Sequence, residues 1–406
     1  MNKKFATLAV AATMCAASFA GLVGCGEQEG PGEKKVKVGL IALHDRNSTY
    51  DKNFIDAMEA ACQATGAELI LRTGVAEERV CYDTAADLVD QGCDVIFADS
   101  FGHQYHMIDA AKEFPEVQFC HATGTNANGS GLSNYQNAFA SIYEGRYLAG
   151  VVAGMKLVEM QNAGKITEAN LDADGNIKIG YVGAYTYAEV VSGYTSFYLG
   201  VKSVLSETAG MPGVSMEVTF TGSWYDEAAE NESAENLIAR GAALISQHAD
   251  SMGAPTACET AGVPNVSYNG STAASCPDTF LVSSKIDWVP YFTYMINCVK
   301  NGEDIATDWC GDINTGSVKL TEYGKNVAAG TAEKVEAVKA ELLAGTRHVF
   351  DCSTFTVNHE ALTEYLVNGV NVINNGVFEE SKLPAVQSAP YFDLQIDGIT
   401  LLNTKF

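Results

Sequence analysis

Gln91-Gly92-Cys93-Asp94-Val95-Ile96-Phe97-Ala98-Asp99-Ser100 is the stretch on which the fold turns. A glycine turn and a short apolar run end in Asp-Ser, and a helical pattern, Pro115 and a further strand follow. The same order returns later in the chain. Arg240-Gly241-Ala242-Ala243-Leu244-Ile245 leads to Asp250-Ser251, a helical pattern, Pro264 and a strand. The spacing between the two copies is nearly constant, which reads as two similar lobes. A continuous apolar run bounded by turn residues fits a strand buried on both faces, as in a parallel sheet.

Outward from this pair, strands alternate with helical patterns. Val36 to Ala42 and Glu68 to Leu71 read as strands, with helix from Asn53 to Thr65 and from Glu78 to Asp90. Helix from His103 to Glu113 precedes a strand from Val117 to Cys120, and Ala138 to Met160 reads as one long helix with small residues on one face. After the polar, turn-rich residues 161–176 the pattern restarts. Strands are expected at Ile177 to Val182, Val214 to Phe220 and Ala243 to Ser246, with helices from Ala188 to Leu205 and from Ala228 to Arg240. Such alternation builds βαβ units on parallel sheets. The expected class is α/β, with lobe 1 over residues 35–160, lobe 2 over 161–285 and a return over 286–406 that contributes to both. Ligands of such sheets bind beyond the C-terminal ends of the strands, and two facing lobes make a cleft there.

The N-terminus carries an address. Lys3 and Lys4 precede an apolar stretch from Phe5 to Val23 that ends in Leu22-Val23-Gly24-Cys25. This pattern is an export signal, and its cysteine makes it resemble a bacterial lipobox, in which the thiol is lipidated. Residues 1–25 are then signal and lipidated Cys25, and 26–34 a flexible tether. An uncleaved membrane anchor is the alternative. Beyond Cys25 about 380 residues remain, enough for two domains. A hydrophobic content of 47% with 18% charged residues is globular. The net charge of −25 argues against a nucleic-acid partner and against direct adhesion to anionic lipid. Export permits disulfides. Cys258–Cys276 and Cys298–Cys310 are the pairs that proximity in sequence favours, and no CxxC supports a zinc or redox site.

Several segments together resemble the Bmp/Med/PnrA family of lipoproteins. Tyr50-Asp51-Lys52-Asn53-Phe54 is similar to its D-K-S-F segment, and Tyr143-Glu144-Gly145-Arg146-Tyr147-Leu148-Ala149-Gly150 to its E-G-x-Y-L-A-G helix. Gly222-Ser223-Trp224-Tyr225-Asp226 and Gln247-His248-Ala249-Asp250-Ser251 resemble the G-S-W-x-D and Q-H-x-D-S segments of its Med-like branch. Ser283-Ser284-Lys285 with Asp287-Trp288 fits the return from the second lobe. The resemblance implies a type I periplasmic-binding-protein fold, a solute-binding role in an ABC importer, a permease and an ATPase as partners, and no cofactor. Relatives take purine nucleosides and at least one takes a flavin. Two departures stand out: Asn53 replaces the usual serine, and the segment Ser267-Tyr268-Asn269 lacks the aspartate that PnrA-like members place after this strand to hold the ribose.

A purine needs aromatic faces and a few polar groups at fixed positions. Trp224, on a loop after a second-lobe strand, is the leading stacking candidate, with Phe101 as the opposite face and Tyr185 as a third choice. Each also has a reading as core or lobe interface. Asp51, Asp99, Asp226 and Asp250 lie just past strands and are candidate acceptors for an amine or ribose hydroxyls. Asp51 and Asp226 also precede helices and compete as caps. Lys285 is a candidate donor or a plain surface lysine. Asn53, Phe54 and Asn269 join the candidate set through the resemblance, and Arg146 is expected to pair with an acid of its own lobe. Enzyme readings find no hydrolase elbow, P-loop or dinucleotide fingerprint. His103 and His106, with His121 or His44, are a weak metal alternative. The expected function is capture of a purine nucleoside or base by closure of two lobes. A sensory lipoprotein, or a binder of another heterocycle such as riboflavin, is the alternative.

Overall fold

The computed structural model describes residues 35–381 and 387–404. The export signal, Cys25 and the tether lie outside the described residues. The first lobe runs β1 (Lys37–Ile41), α1 (Thr49–Thr65), β2 (Glu68–Arg72), α2 (Arg79–Asp90), β3 (Val95–Ala98), α3 (Gln104–Glu113), β4 (Gln118–Ala122), α4 (Ala127–Ser130) and β5 (Tyr135–Ala140). The second runs α5 (Ile142–Asn162), β6 (Ile177–Gly183), α6 (Ala188–Glu207), β7 (Val214–Phe220), α7 (Glu227–Ala239), β8 (Ile245–His248), α8 (Gly253–Ala261), β9 (Asn265–Tyr268) and β10 (Phe280–Ile286). Then follow α9 (Val289–Asn301), β11 (Asp308–Gly311), β12 (Val318–Leu320), α10 (Thr331–Leu343), the short hairpin strands β13 (Leu366–Val367), β14 (Val370–Asn371), β15 (Ile373–Asn374) and β16 (Val377–Phe378), and β17 (Ile399–Leu401).

The two large sheets share one topology. The first has the order β2-β1-β3-β4-β5-β11, all parallel. The second has β17-β7-β6-β8-β9-β10-β12, parallel except for the edge strand β12. The repeated stretches become β3 and β8, each beside the first strand of its sheet. In both sheets the chain leaves the first strand toward opposite sides, so the switch point lies between β1 and β3 and between β6 and β8. That is where open α/β sheets bind ligands.

The chain crosses between sheets around Ser141, at Ile286–Val289 and between Gly311 and Val318. Ser141 N–H donates to the Gly311 carbonyl at 2.8 Å, and Asp287 N–H to the Ser317 carbonyl at 2.7 Å, so the three strands of this hinge are tied to one another. The helix expected from Ala138 begins only at Ile142, because Tyr135–Ala140 is strand β5. Gln136 and Asn137 broke the apolar pattern, yet both are buried and hydrogen-bonded. α5 was expected in lobe 1 but packs on α6, β10 and β12 of the second sheet. Gly150 and Gly200 make this possible: a Cβ at Gly150 would stand 2.2 Å from the Phe197 carbonyl oxygen, and one at Gly200 2.1 Å from that of Tyr147.

The expected disulfides are corrected. All nine described cysteines are free thiols. Cys258 lies 3.8 Å from the Asn265 amide, and Cys310 lies 3.6 Å from the Ser141 hydroxyl. Burial pushes these thiols up, Cys310 to about 12, so they behave as small core residues.

Candidate functional site

The loops beyond β1, β3, β4, β6, β7 and β8 enclose an inner cavity. Asp51, Phe101 and Thr123 come from the first lobe, Glu189, Trp224 and Asp250 from the second. α1 starts where it does because Ser48 caps it, its hydroxyl oxygen accepting from the Asp51 N–H at 3.1 Å. That places the Asp51 carboxylate back over the loop, where it accepts from the His44 N–H at 2.7 Å and the Ser48 hydroxyl at 2.5 Å. Glu189 occupies the matching first turn of α6.

The carboxyls differ in charge state. Burial pushes Asp51 up, but hydrogen bonds from the His44 ring, Ser48 and the His44 backbone outweigh it and hold Asp51 below its usual range. Burial, and next the Asp51 charge, push Asp99 well up. Burial likewise pushes Asp250 well up, with Asp51, Glu230 and Glu189 adding to it. Glu189 is raised by burial to about 7, with Arg146 opposing. Asp51 is thus a fixed anion among neutral or protonatable acids, a division set by environment. Among the described residues no lysine or arginine lines the cavity.

The lobes meet across it. Thr49 N–H donates to the Asp250 carbonyl at 3.1 Å. The His44 and Tyr225 rings lie 5.7 Å apart, and Phe101 and Tyr187 5.3 Å apart. Trp224 packs edge-on to Tyr185 at 5.1 Å, and Tyr185 stacks on Tyr187. The inner cavity holds only 20 Å³, room for about one water.

Asp51, Phe101, Trp224 and Asp250 therefore come together, with Asp99 directly behind them. Asp99 accepts from the Leu43 N–H at 3.1 Å, and its carbonyl accepts from the Tyr50 hydroxyl at 2.7 Å. The other candidates are placed elsewhere. Asn53 donates to the Ile286 carbonyl at 2.7 Å and steadies a hinge strand. Phe54 stacks on Trp288 at 4.4 Å in the core. Asp226 caps α7 by accepting from the Ala229 N–H at 3.0 Å. Asn269 follows β9 at a left-handed φ of 62°. Lys285 lies within β10 opposite Lys319 of the antiparallel edge strand. None of these five lines the cavity. Arg146 does not pair with an acid of its own lobe: it donates to the Gln247 carbonyl at 2.9 Å and lies 3.4 Å above the Tyr268 ring centre.

His103 and His121 contact the carbonyls of Val75 and Ser100. Among the described residues no three His, Cys, Asp or Glu side chains are grouped to hold a metal. The lining residues that sequence reasoning did not place at the site are Leu43, His44, Tyr50, Ser100, Thr123 and Glu189. Glu189 had a signal, since it opens the helix after the first strand of its lobe as Asp51 does in the other.

Residues 37–349 match the sequence profile of the family described as ABC transporter substrate-binding protein PnrA-like. The chain belongs to this PnrA-like family. Its members bind solutes for ABC transporters outside the cytoplasm, so a permease and an ATPase are the implied partners. A putative ABC transporter glucose-binding protein of Haloferax volcanii is 30% identical over 292 residues, 72% of this chain and 66% of that one. A purine-binding protein of Brucella abortus is 28% identical over 367 residues, 87% of this chain and 95% of that one. A solute-binding protein structure from Aeropyrum pernix, 13% identical, superposes with a TM-score of 0.63 over 77% of this chain and 92% of its own. The fold is that of the type I periplasmic solute-binding proteins. No described helix is long and apolar enough to cross a membrane.

Proposed function

We propose that the chain captures a purine base or nucleoside outside the cytoplasmic membrane, tethered there by lipid at Cys25, and presents it in the closed form to a permease. The observation that carries this reading is the cavity at the paired switch points. Aromatic rings from both lobes stand there beside Asp51, Asp250 and Glu189, with no cation in the lining. Trp224 and Phe101 offer faces to a flat ring, and the acids accept from an exocyclic amine or sugar hydroxyls. The Brucella relative is named for purine binding. The solute favours the closed form by touching both lobes at once, and so shifts the hinge equilibrium.

A free sugar is the second reading, favoured by the name of the Haloferax relative. Titration calorimetry of the full chain with adenine, adenosine and glucose decides between them. A purine is expected to bind and glucose not to. Glucose binding without purine binding would replace the first reading with the second. Radiolabelled palmitate incorporation, lost in Cys25→Ser, tests the anchor.

A further inference from the structure

The family match ends at Val349, yet the residues beyond it reach the cleft. They are firmly seated. Phe350 stacks on Phe392 at 4.4 Å and 10°, and the buried Glu380 carboxylate accepts from the Tyr391 and Phe392 N–H groups at 2.6 and 2.9 Å. The Tyr143 hydroxyl donates to the Glu380 carbonyl at 3.0 Å, Ser388 N–H donates to Asp308 at 3.0 Å, and β17 pairs with β7. The extension is therefore bound to both sheets.

Its inner edge walls an outer cavity of 410 Å³, within the range of small-molecule sites, about 300–1,000 Å³. Phe101, Thr123, Glu189 and Trp224 line this cavity and the inner one alike, so the two adjoin along a shared wall. The extension adds Tyr365, Asn368, Gln387, Tyr391 and Asp393. The Tyr365 hydroxyl donates to Asp393. Tyrosine faces beside amide and carboxylate acceptors suit a ring with an apolar C–H face and a rim of hydroxyls. Among the described residues no lysine or arginine lines either cavity. A phosphate there would lose water while facing Glu189 within and Asp393 at the rim, and no described side chain of the lining would compensate its charge.

We propose that the stretches 365–368 and 387–393 form a sugar compartment for a nucleoside whose base lies at Trp224 and Phe101, and that this compartment rejects the 5′-phosphate ester. The inference rests on the purine reading and adds the part of the solute that the C-terminal extension selects.

The test is calorimetric titration of the full chain with adenine, adenosine and adenosine 5′-monophosphate. Wild type is expected to bind adenosine more tightly than adenine and to show no heat with the monophosphate. Tyr365→Ala is expected to weaken adenosine about tenfold and adenine less than about twofold, a difference of about 1.4 kcal/mol. Asp393→Asn, which keeps the side-chain shape and serves if Tyr365→Ala does not fold, is expected to make monophosphate binding measurable. Equal weakening of adenine and adenosine by Tyr365→Ala, or no change in either, overturns the compartment while purine binding stands. Monophosphate binding to wild type as tight as adenosine also overturns it. If wild type binds neither adenine nor adenosine, the purine reading itself falls, and the compartment with it.

Discussion

Asp99 and Asp250 close two copies of one pattern, Asp99 directly after β3 and Asp250 two residues beyond β8, each strand lying beside the first strand of its sheet. Their surroundings differ. Asp99 faces inward and accepts from the Leu43 N–H, binding the β1 loop to its own lobe. Asp250 lines the cavity, and among the described residues no donor reaches its carboxyl, while its backbone carbonyl accepts from Thr49 of the opposite lobe. Duplication supplied two acids. Packing made one an internal strut and left the other facing the cleft. An acid tied to a backbone N–H within one lobe serves stability, and one left open between lobes is available to a solute.

The sharpest way to break this contrast is to remove each acid in turn. Asp250→Ala is expected to weaken purine binding by 10- to 100-fold, the loss of about 1.5–3 kcal/mol for a hydrogen bond to a charged or strongly polarised group. Its unfolding free energy should be unchanged or slightly higher, since one carboxyl leaves a buried acidic group. Calorimetry and urea titration read the two quantities. Asp99→Ala is expected to do the reverse: stability falls by about 1–3 kcal/mol because the Leu43 N–H loses its acceptor, and affinity changes less than about threefold. If both variants lose affinity equally, the contrast is wrong.

The neighbouring serines give a smaller test. Ser100 Oγ donates to Glu77 at 2.6 Å, whereas Ser251 Oγ accepts from the Gly253 N–H at 3.0 Å. Alanine at either is expected to cost about 0.5–1.5 kcal/mol of stability with affinity unchanged, both measured by the same titrations.

The last test changes a slope. Glu189 is held near 7 by burial, above its ordinary 4.5. Between these values the folded protein keeps a proton that the unfolded chain has lost. Its contribution to stability is therefore fully present below about 4.5 and declines as pH rises to about 7. Glu230, also raised by burial to about 7, acts with the same sign. Glu189→Gln is expected to flatten the decline in that window, as read from urea midpoints across pH. An unchanged slope would place the Glu189 carboxyl in a more hydrated setting than its burial implies.

Much of this architecture was legible along the chain. The strand and helix alternation carried through with shifts of a few residues, because buried parallel strands are apolar and their helices amphipathic. The exception was β5, whose buried Gln136 and Asn137 satisfy their polar groups partly through neighbours two and three residues away and partly through Gln118 and the Ala127 N–H, which no strand pattern reveals. Of the candidate site residues, Trp224, Phe101, Asp51 and Asp250 converge. Asn53, Phe54 and Asp226 sit in the same segments but turn to a hinge carbonyl, to Trp288 and to the first turn of α7. A motif places a loop at a site, and one residue of register decides which side chain faces it.

By itself the sequence determined the duplicated α/β plan and the switch points where a solute goes, since these follow from local patterning and the fixed handedness of βαβ units. It also determined the acidic, cation-poor character of the loops. Tertiary structure alone decided that α5 crosses to the second sheet, that Asp99 and Asp250 part company, and that described residues beyond Val349 fold back to wall the cleft. Each of those depends on contacts between residues far apart in the chain, which no local pattern encodes.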